Sequence, residues 1–294
     1  MKPILRKIQI IAGPTASGKT SYAIKKALKI GGEIINCDSL QIFKDLKILT
    51  AYPTLDELSI VKHRAFGYLN YYEKTSVVDW AKIAANEIED VFKNGKVPII
   101  VGGTGLYINA LINGISPLPE VSDKNRQIAI DFAKENFSEL CKKVYELDPM
   151  LKELILPENH RQMIRTYEIF LETGKSVRYF YSLPKIKFIN NVDFETKIID
   201  IDRNDLYEKI NLRFDIMLQN GAIEEVADLV KKINITNRDD IFKSYPIFKA
   251  IGAKEIVMHL DGEISYEKMK EISKIASRHY AKRQITWFKH QVAS

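Results

Sequence analysis

The sequence predicts an α/β fold in which helices flank a parallel sheet and an all-helical insertion interrupts the chain. Two observations predict it. Over the first hundred residues, short β-branched runs alternate with amphipathic stretches, which is the pattern of βαβ units. Strand signals then vanish between Pro117 and about Lys197, where apolar residues recur at helical spacing instead.

The first part of the chain contains three predicted strands and two predicted helices. The strands cover residues 7–12, 33–37 and 97–101, and the helices cover residues 17–29 and 78–92. Buried strands separated by helices are typical of a parallel sheet with helices on its faces. We therefore expect the first part of the α/β core at residues 1–117.

Helices dominate the rest of the chain, apart from one strand. Helical periodicity covers residues 125–134, 138–147 and 158–173, and Gly174 is the predicted C-cap of the last of these. A strand at 197–201 and helices at 206–220, 224–233 and 277–290 follow. We expect a helical insertion at residues 118–196 and the second part of the core at 197–294.

Composition limits the functional classes. The 294 residues are 46% hydrophobic and 28% charged, which is ordinary for a globular protein. Lysine and arginine outnumber acidic residues by 44 to 38, a balance that permits a nucleic-acid partner without requiring one. The two cysteines, Cys37 and Cys141, form no C-x-x-C pair, so neither a disulfide framework nor a zinc site is indicated. With no run of membrane-spanning length, we expect a cytoplasmic protein.

A glycine-rich motif follows the first predicted strand. Residues 13–20 read GPTASGKT and match the P-loop pattern G-x-x-x-x-G-K-[ST]. The glycines let backbone N–H groups converge on an anion at a helix N-terminus, the lysine adds a charge, and the last hydroxyl is a Mg²⁺ ligand. The motif predicts a P-loop NTPase-like sheet with a diphosphate or triphosphate site formed by Gly13, Pro14, Thr15, Ala16, Ser17, Gly18, Lys19 and Thr20.

Two further polar residues follow predicted strands. Asp38 closes the strand at 33–37, and Thr104 stands in a second glycine-rich turn after the strand at 97–101. Because the carboxyl ends of parallel strands converge on the ligand crevice, we expect Asp38 near the P-loop. A carboxylate there can hold magnesium or accept a proton from substrate; the alternative for Asp38 is an N-cap.

The P-loop alone does not identify the molecule that carries the phosphates. In an NTPase we expect a second apolar strand that ends in an aspartate for magnesium. The strand at 97–101 ends instead in Gly102-Gly103-Thr104-Gly105, which supplies a hydroxyl and no carboxylate. A kinase of a small metabolite therefore stays open at this point.

Five segments together resemble the tRNA dimethylallyltransferase family. They are GPTASGKT at 13–20, DSLQIF at 38–43, TAYP at 50–53, VGGTGLY at 101–107 and AKRQITWF at 281–288. The resemblance implies transfer of a dimethylallyl group from its diphosphate to N6 of the adenosine at tRNA position 37, with Mg²⁺ as cofactor and pyrophosphate as product. It also implies that the P-loop holds the prenyl diphosphate, which accounts for the missing second aspartate.

The resemblance also implies roles for individual residues. Asp38 matches the base that takes the N6 proton, and Lys19, Thr104 and Arg213 match groups that stabilise the leaving diphosphate. By helical periodicity alone, Arg213 would be a solvated arginine beside an apolar stripe. Positions that match contacts to the anticodon stem-loop of tRNA are Asp38, Ser39, Leu40, Gln41, Arg161, Gln162, Arg165, Lys249, Lys254, Arg278, Lys282 and Arg283.

Some positions depart from the family pattern. Phe43 stands where tyrosine is common, Tyr52 where a lysine is common, and Ala253 where an aromatic residue is common; Arg161 and Gln162 stand in reversed order. The lost lysine weakens any phosphate role at Tyr52. None of these departures touches the P-loop, Asp38, Thr104 or Arg213.

Two residues carry weaker expectations. Gln41 is a hypothetical reader of the base edge, since recognition of a loop base requires that the base leave its stack. His63 matches a histidine motif of the family, but a surface histidine is the preferred interpretation.

Three other functions are open to the same residues. A metabolite kinase shares the P-loop and predicts ATP turnover without RNA, and a non-catalytic RNA-binding module explains the basic helix but not the P-loop. Prenyl transfer to free adenosine nucleotides is the third, and the helical insertion argues against it. We expect a monomer whose partners are tRNA and dimethylallyl diphosphate.

Overall fold

The structure is a computed structural model that describes residues 5–234 and 238–291. The chain forms two compact units, one made of Met1–Ile112 with Phe188–Ser294 and the other of Asn113–Lys187. The second unit starts and ends earlier in the chain than the insertion expected at 118–196. The later boundary differs because the last strand of the sheet begins before residue 197.

Five parallel strands form one sheet in the first unit. They are β1 (Arg6–Ala12), β2 (Gly32–Asn36), β3 (His63–Arg64), β4 (Val97–Gly102) and β5 (Val192–Ile198). The strand order is β3-β2-β4-β1-β5, with Gln9 opposite Ile99 and Ile34 opposite His63. This architecture confirms the predicted P-loop NTPase-like fold.

Helices surround this sheet. In the first unit they are α1 (Lys19–Ile30), α2 (Leu55–Ile60), α3 (Val77–Lys93), α4 (Gly105–Asn113, whose last residue belongs to the second unit), α8 (Arg203–Gln219), α9 (Ala222–Ile233), α10 (Arg238–Ser244), α11 (Ala253–Leu260) and α12 (Tyr266–Gln291), with a 3₁₀ turn at Pro246–Lys249. None of the described helices is long and apolar enough to cross a membrane.

The edge strand β5 differs from its prediction. The expected strand at 197–201 was placed on the apolar run after Lys197, but the paired strand is Val192–Ile198. Along β5, charged residues such as Asp193 and Glu195 alternate with uncharged ones, because an edge strand needs to bury only one face. The continuous apolar pattern of a central strand therefore does not apply to it.

The core on one face of the sheet is centred on Trp80 of α3. This side chain is fully buried, stacks on Tyr107 with 4.3 Å between ring centroids, and donates from Nε1 to the backbone oxygen of Asn36 at 3.1 Å. Truncation of such a side chain costs about 3–5 kcal/mol of stability. The contact fixes the end of β2, two residues before Asp38.

The second unit is helical and has its own core. Its helices are α5 (Asp123–Leu147), α6 (His160–Thr173) and α7 (Val177–Ser182), with a 3₁₀ turn at Pro149–Glu153. Helix α5 has a kink at Asn136, whose Oδ1 accepts from the N–H of Glu139 and so caps the second half. The two helices predicted at 125–134 and 138–147 are the two sides of this kink.

Candidate active site

The P-loop joins β1 to α1. Gly18 has a φ of +82° and Ala16 a φ of +62°, so the loop needs the left-handed region at two positions. Glycine adopts that region without strain, whereas alanine does not. Helix α1 then begins at Lys19, and its first N–H groups have no intrahelical acceptors, which is the arrangement that binds an anion.

Lys19 lies partly buried at the start of α1. Its ammonium donates to the backbone oxygen of Pro14 at 3.1 Å. Burial lowers the pKa of Lys19 to about 8; the carboxylate of Asp38 opposes the shift, and the charge of Arg213 adds to it. A lysine whose charged form is destabilised by burial in this way is stabilised by a bound anion.

Arg213 reaches the P-loop from α8. Its Nη2 donates to Oγ1 of Thr15, and burial lowers its pKa while Asp38 acts in the opposite direction. Ile210, Phe214 and Met217 on the same helix are buried, so the apolar stripe holds the guanidinium at the loop. Arg213 is therefore not the solvated arginine that the periodicity argument gives, and its role towards a diphosphate remains a prediction.

The end of β2 presents Asp38. Its Oδ1 accepts from the N–H of Leu40 at 2.9 Å, and its own N–H donates to Oδ1 of the fully buried Asn36 at 2.9 Å. Asn36 also donates to the backbone oxygens of Asp38 and Ala65. Asp38 therefore stabilises a local turn through Oδ1, and Asn36 forms hydrogen bonds with both its N–H and its backbone oxygen.

The second glycine-rich turn packs against the residues around Asp38. A Cβ on Gly102 would lie 2.0 Å from the backbone oxygen of Cys37, so only glycine fits there. Thr104 accepts from the N–H of Ser39 at 3.1 Å through Oγ1 and shares a hydrogen bond with the hydroxyl of Tyr280. Thr104 thus lies between the Asp38 turn and α12.

Gln284 joins the two glycine-rich loops, a role that the sequence analysis missed. Its Oε1 accepts from the N–H of Thr15 at 2.8 Å, and its Nε2 donates to the oxygen of Gly103 at 2.9 Å. Gln284 is only 5% exposed and shares the buried face of α12 with Ala281 and Phe288. A lone glutamine on the apolar face of the helix was the signal available in the sequence.

Two small cavities meet at these residues. Both are lined by Thr15, Asp38, Thr50 and Arg213. One, of about 80 Å³, adds the P-loop residues Lys19 and Thr20 with Gln41 and His63. The other, of about 70 Å³, adds Tyr280 and the mainly apolar set Leu40, Leu49, Ile210, Phe214, Met217, Ala250, Ile251 and Ser277. The two cavities therefore share the carboxylate of Asp38; one adds the lysine of the P-loop and the other adds a mixed lining with several apolar side chains.

His63 lines the cavity that contains Lys19, so its predicted surface position is wrong. Its Nδ1 lies 2.7 Å from the backbone oxygen of Val61, so that nitrogen carries the proton. Nε2 is buried without a hydrogen-bond partner among the described residues. Burial lowers the pKa of His63, which favours the neutral ring with a free lone pair on Nε2.

The residues predicted to contact tRNA lie in several elements. Arg278, Lys282 and Arg283 are on α12, and exposed Lys249 and Lys254 lie in or near α11. Arg278 donates to Asn211 at 2.7 Å, whereas Lys282 and Arg283 are exposed. These basic positions remain predictions.

Two predicted tRNA contacts already have partners within the fold. Arg165 of α6 donates to Glu168 at 2.9 Å and to the backbone oxygen of Pro119 at 3.0 Å. Gln41 donates from Nε2 to the oxygens of Thr50 and Ala51, so its amide nitrogen holds the loop that follows. Arg161 is exposed on α6, and Gln162 accepts from Asn159.

Comparisons with known proteins agree on one family. The IPP transferase family matches residues 41–291. A tRNA dimethylallyltransferase of Pelagibacter ubique is 42% identical over 289 residues, covering 98% of this chain and 90% of that protein. A solved eukaryotic dimethylallyltransferase acting on tRNA has a TM-score of 0.82 at 27% identity, covering 98% of this chain and 71% of that one. The tRNA isopentenylpyrophosphate transferase of Bacillus halodurans has a TM-score of 0.67 at 31% identity, covering 97% and 88%.

Proposed function

The chain belongs to the IPP transferase family, and from that premise we propose how its P-loop site works. The enzyme transfers a dimethylallyl group to an adenosine of tRNA. We propose that the donor is dimethylallyl diphosphate, that the acceptor is N6 of the adenosine at position 37, and that pyrophosphate leaves. The enzyme acts as a monomer in the cytoplasm under this proposal.

One observation carries the proposal. The P-loop cation Lys19, the guanidinium of Arg213 and the carboxylate of Asp38 line one cavity, and an adjoining cavity that shares Asp38 and Arg213 adds apolar side chains such as Leu40, Phe214 and Met217. A prenyl diphosphate has the same division, with an anionic head and a hydrocarbon tail. A metabolite kinase has no need for the apolar part.

Asp38 acts as the general base. The lone pair of the exocyclic amine is delocalised into the adenine ring, so removal of the N6 proton assists attack. As the N6–C1 bond forms, the C1–O bond to the diphosphate breaks, the electron pair stays on pyrophosphate, and the proton moves to Asp38. Because Leu40 binds Oδ1, the other oxygen is available for that proton.

The leaving diphosphate gains charge in the transition state. Lys19, the P-loop amides and Arg213 meet this charge with groups already in place, which is where preorganised donors lower a barrier most. Lys19 and Arg213 are only partly solvated, and both are held by contacts to the loop itself. Thr104 supports the turn that follows Asp38 through its hydrogen bonds with Ser39 and Tyr280.

The residues present fit Mg²⁺ bound through the substrate. Thr20 offers a hydroxyl in the cavity that Asp38 also lines, and magnesium in such sites takes few protein ligands besides phosphate oxygens and water. No group of three His, Cys, Asp or Glu side chains suited to a metal occurs among the described residues. When bound, the ion neutralises charge on the diphosphate.

The test is transfer of label to RNA. Purified enzyme, Mg²⁺ and radiolabelled dimethylallyl diphosphate are incubated with an unmodified tRNA that carries adenosine at positions 36 and 37, and in parallel with free AMP or with ATP and no RNA. Asp38→Asn keeps the shape of the side chain and removes the base, so transfer should fall about 10²–10⁴-fold. Asp45→Asn is the matched control, because Asp45 pairs with Lys232 and lines neither cavity.

The outcomes separate the alternatives. Label in tRNA that Asp38→Asn abolishes and Asp45→Asn preserves supports the proposal. Label in AMP but not in tRNA assigns the chain to prenylation of free nucleotides. ATP hydrolysis without label transfer overturns the proposed reaction.

A further inference from the structure

An open groove lies beside the P-loop, outside the two small cavities. Its volume is about 500 Å³, and its lining includes Thr20 of the P-loop, Arg213 of α8, and Lys47 and Tyr52 of the loop before α2. Most of the remaining lining is apolar, including Leu58 and Ile216. The groove therefore adjoins the groups assigned to the diphosphate while remaining open to solvent.

Lys47 and Tyr52 form a fixed pair in this groove. The ammonium of Lys47 lies 5.1 Å from the centroid of the Tyr52 ring, within the range of a cation–π contact. The N–H of Tyr52 donates to the backbone oxygen of Lys47 at 2.9 Å, and the ring packs edge-on against Phe66 at 5.6 Å. The ring is thus a platform that holds the cation in a defined place.

Among the residues that the structure describes, no acidic side chain forms an ion pair with Lys47. The Lys47 side chain is exposed. The carboxylate of Glu57, which also lines the groove, accepts from the N–H of Thr54 as part of a capping box. The carboxylate of Glu225 accepts from the N–H groups of Ile48 and Leu49. With Lys47 and Arg213 against the single carboxylate of Glu57, the lining of the groove carries a net positive charge.

We propose that Lys47, held over Tyr52, attracts the diphosphate of the prenyl donor into the groove and towards Thr20 and Arg213. This inference rests on the proposed function. Lys47 supplies a positive charge over the ring of Tyr52. The groove adjoins the P-loop, so a small diphosphate is favoured over a tRNA phosphate as the anion. Because Lys47 lines the groove and neither of the two small cavities, it affects substrate capture and not the chemical step.

The experiment compares variants of one loop. Lys47→Gln removes the charge and keeps most of the length, Lys47→Arg keeps the charge, and Lys44→Gln is the control because exposed Lys44 contacts Asn70 and lies outside the groove. For each enzyme, kcat and the KM values for dimethylallyl diphosphate and for tRNA are measured at low and moderate salt. The Kd for inorganic pyrophosphate is measured by calorimetry.

Lys47→Gln should raise the KM for dimethylallyl diphosphate and the Kd for pyrophosphate by about 3–10-fold at low salt, with less effect at moderate salt. Its kcat and its KM for tRNA should stay within about twofold of the parent. Lys47→Arg and Lys44→Gln should resemble the parent, and moving the charge in Lys47→Gln/Tyr52→Lys should restore the KM.

An unchanged KM and Kd in Lys47→Gln would overturn the inference, and a rise confined to the KM for tRNA would assign Lys47 to RNA. Failure of the parent enzyme to transfer any prenyl group would overturn the proposed function instead. The pyrophosphate measurement would still test the groove in that case.

Discussion

The side-chain oxygen of Gln284 accepts a hydrogen bond from the backbone N–H of Thr15 at 2.8 Å, and this contact ties the last helix to the P-loop. The amide nitrogen of Gln284 donates to Gly103 at 2.9 Å, so one buried residue sets the spacing of the two glycine-rich loops. A Cβ on Gly103 would lie 2.1 Å from that nitrogen, which shows how closely the glutamine approaches the turn. Helix α12 therefore supports the P-loop in addition to its expected role in RNA binding.

Gln284→Ala should weaken both folding and anion binding. It leaves a backbone N–H and a backbone oxygen without their partner, at a cost of about 1–3 kcal/mol in the free energy of unfolding. Gln284→Glu keeps the acceptor for Thr15 but places negative charge at the loop, so it should lower pyrophosphate affinity more than alanine does. Urea unfolding and calorimetry measure the two effects, with the exposed Gln219→Ala on α8 as control. Parental stability and affinity in both Gln284 variants would contradict this account.

Pyrophosphate affinity should depend on the protonation of Lys19. Burial lowers the pKa of Lys19 to about 8 in the free enzyme, and a bound anion favours the charged ammonium, so the pKa in the complex is higher. Binding therefore takes up a proton between the two pKa values. Affinity is full below pH 8 and falls as the pH rises through 8, by up to about tenfold per unit.

Calorimetry without metal from pH 6.5 to 9.5 checks this dependence. Lys19→Arg is the control, since arginine stays charged over the whole range and reports only the titration of pyrophosphate itself. If the parent and Lys19→Arg showed the same pH profile, Lys19 would not be the titrating group.

Gly102 should be irreplaceable for a reason unrelated to chemistry. A Cβ there would lie 2.0 Å from the oxygen and 2.2 Å from the carbon of the Cys37 carbonyl, both backbone atoms next to Asp38. Gly102→Ala should lower the free energy of unfolding by about 3 kcal/mol or more, because β2 and β4 must separate. Gly31→Ala is the control: it has a φ of +65° but open space, so it should cost only about 1 kcal/mol. Equal denaturation midpoints for the two variants would refute the steric argument.

The parts of the site that are local in sequence could be predicted, and the parts built by distant contacts could not. The P-loop at residues 13–20 carries its own conformation, because its glycines, lysine and threonine are spaced for one turn and one helix start. Asp38 followed from the rule that parallel strands end at the same edge. Both inferences need only a few neighbouring residues.

Hydrophobic periodicity could not predict the contacts of Gln284 and His63 or the residue at which β5 begins. Gln284 bonds to a residue 269 positions away, and nothing in the spacing of α12 identifies that partner. His63 is half-buried and packs edge-on against Phe66, a contact that no single-element pattern describes. Strand β5 is defined by its pairing with β1. Because charged residues alternate along it, it contains no apolar run that would predict a strand.

Substitutions of Tyr280 test the cavity that Asp38 shares with several apolar side chains. Its ring lines the cavity that Asp38 shares with Phe214 and Met217, and its hydroxyl bonds to Thr104. Burial raises the pKa of Tyr280, and the charge of Asp38 adds to the shift, so the hydroxyl stays protonated in the working enzyme. If positive charge develops on the allylic carbons as the C–O bond breaks, the face of this ring can stabilise it.

Tyr280→Phe keeps the ring and loses only the bond to Thr104, so we expect kcat to fall about 3–10-fold with little change in the KM for dimethylallyl diphosphate. Tyr280→Leu keeps an apolar side chain but removes the π face. Its kcat should be lower than that of Tyr280→Phe by about 3–30-fold, the range of a desolvated cation–π contact. Because both replacements are apolar, their comparison isolates the ring electrons from the hydrophobic contribution. Single-turnover rates at saturating donor make the comparison. Equal rates for the two variants would mean that Tyr280 acts on the prenyl group only by excluding water.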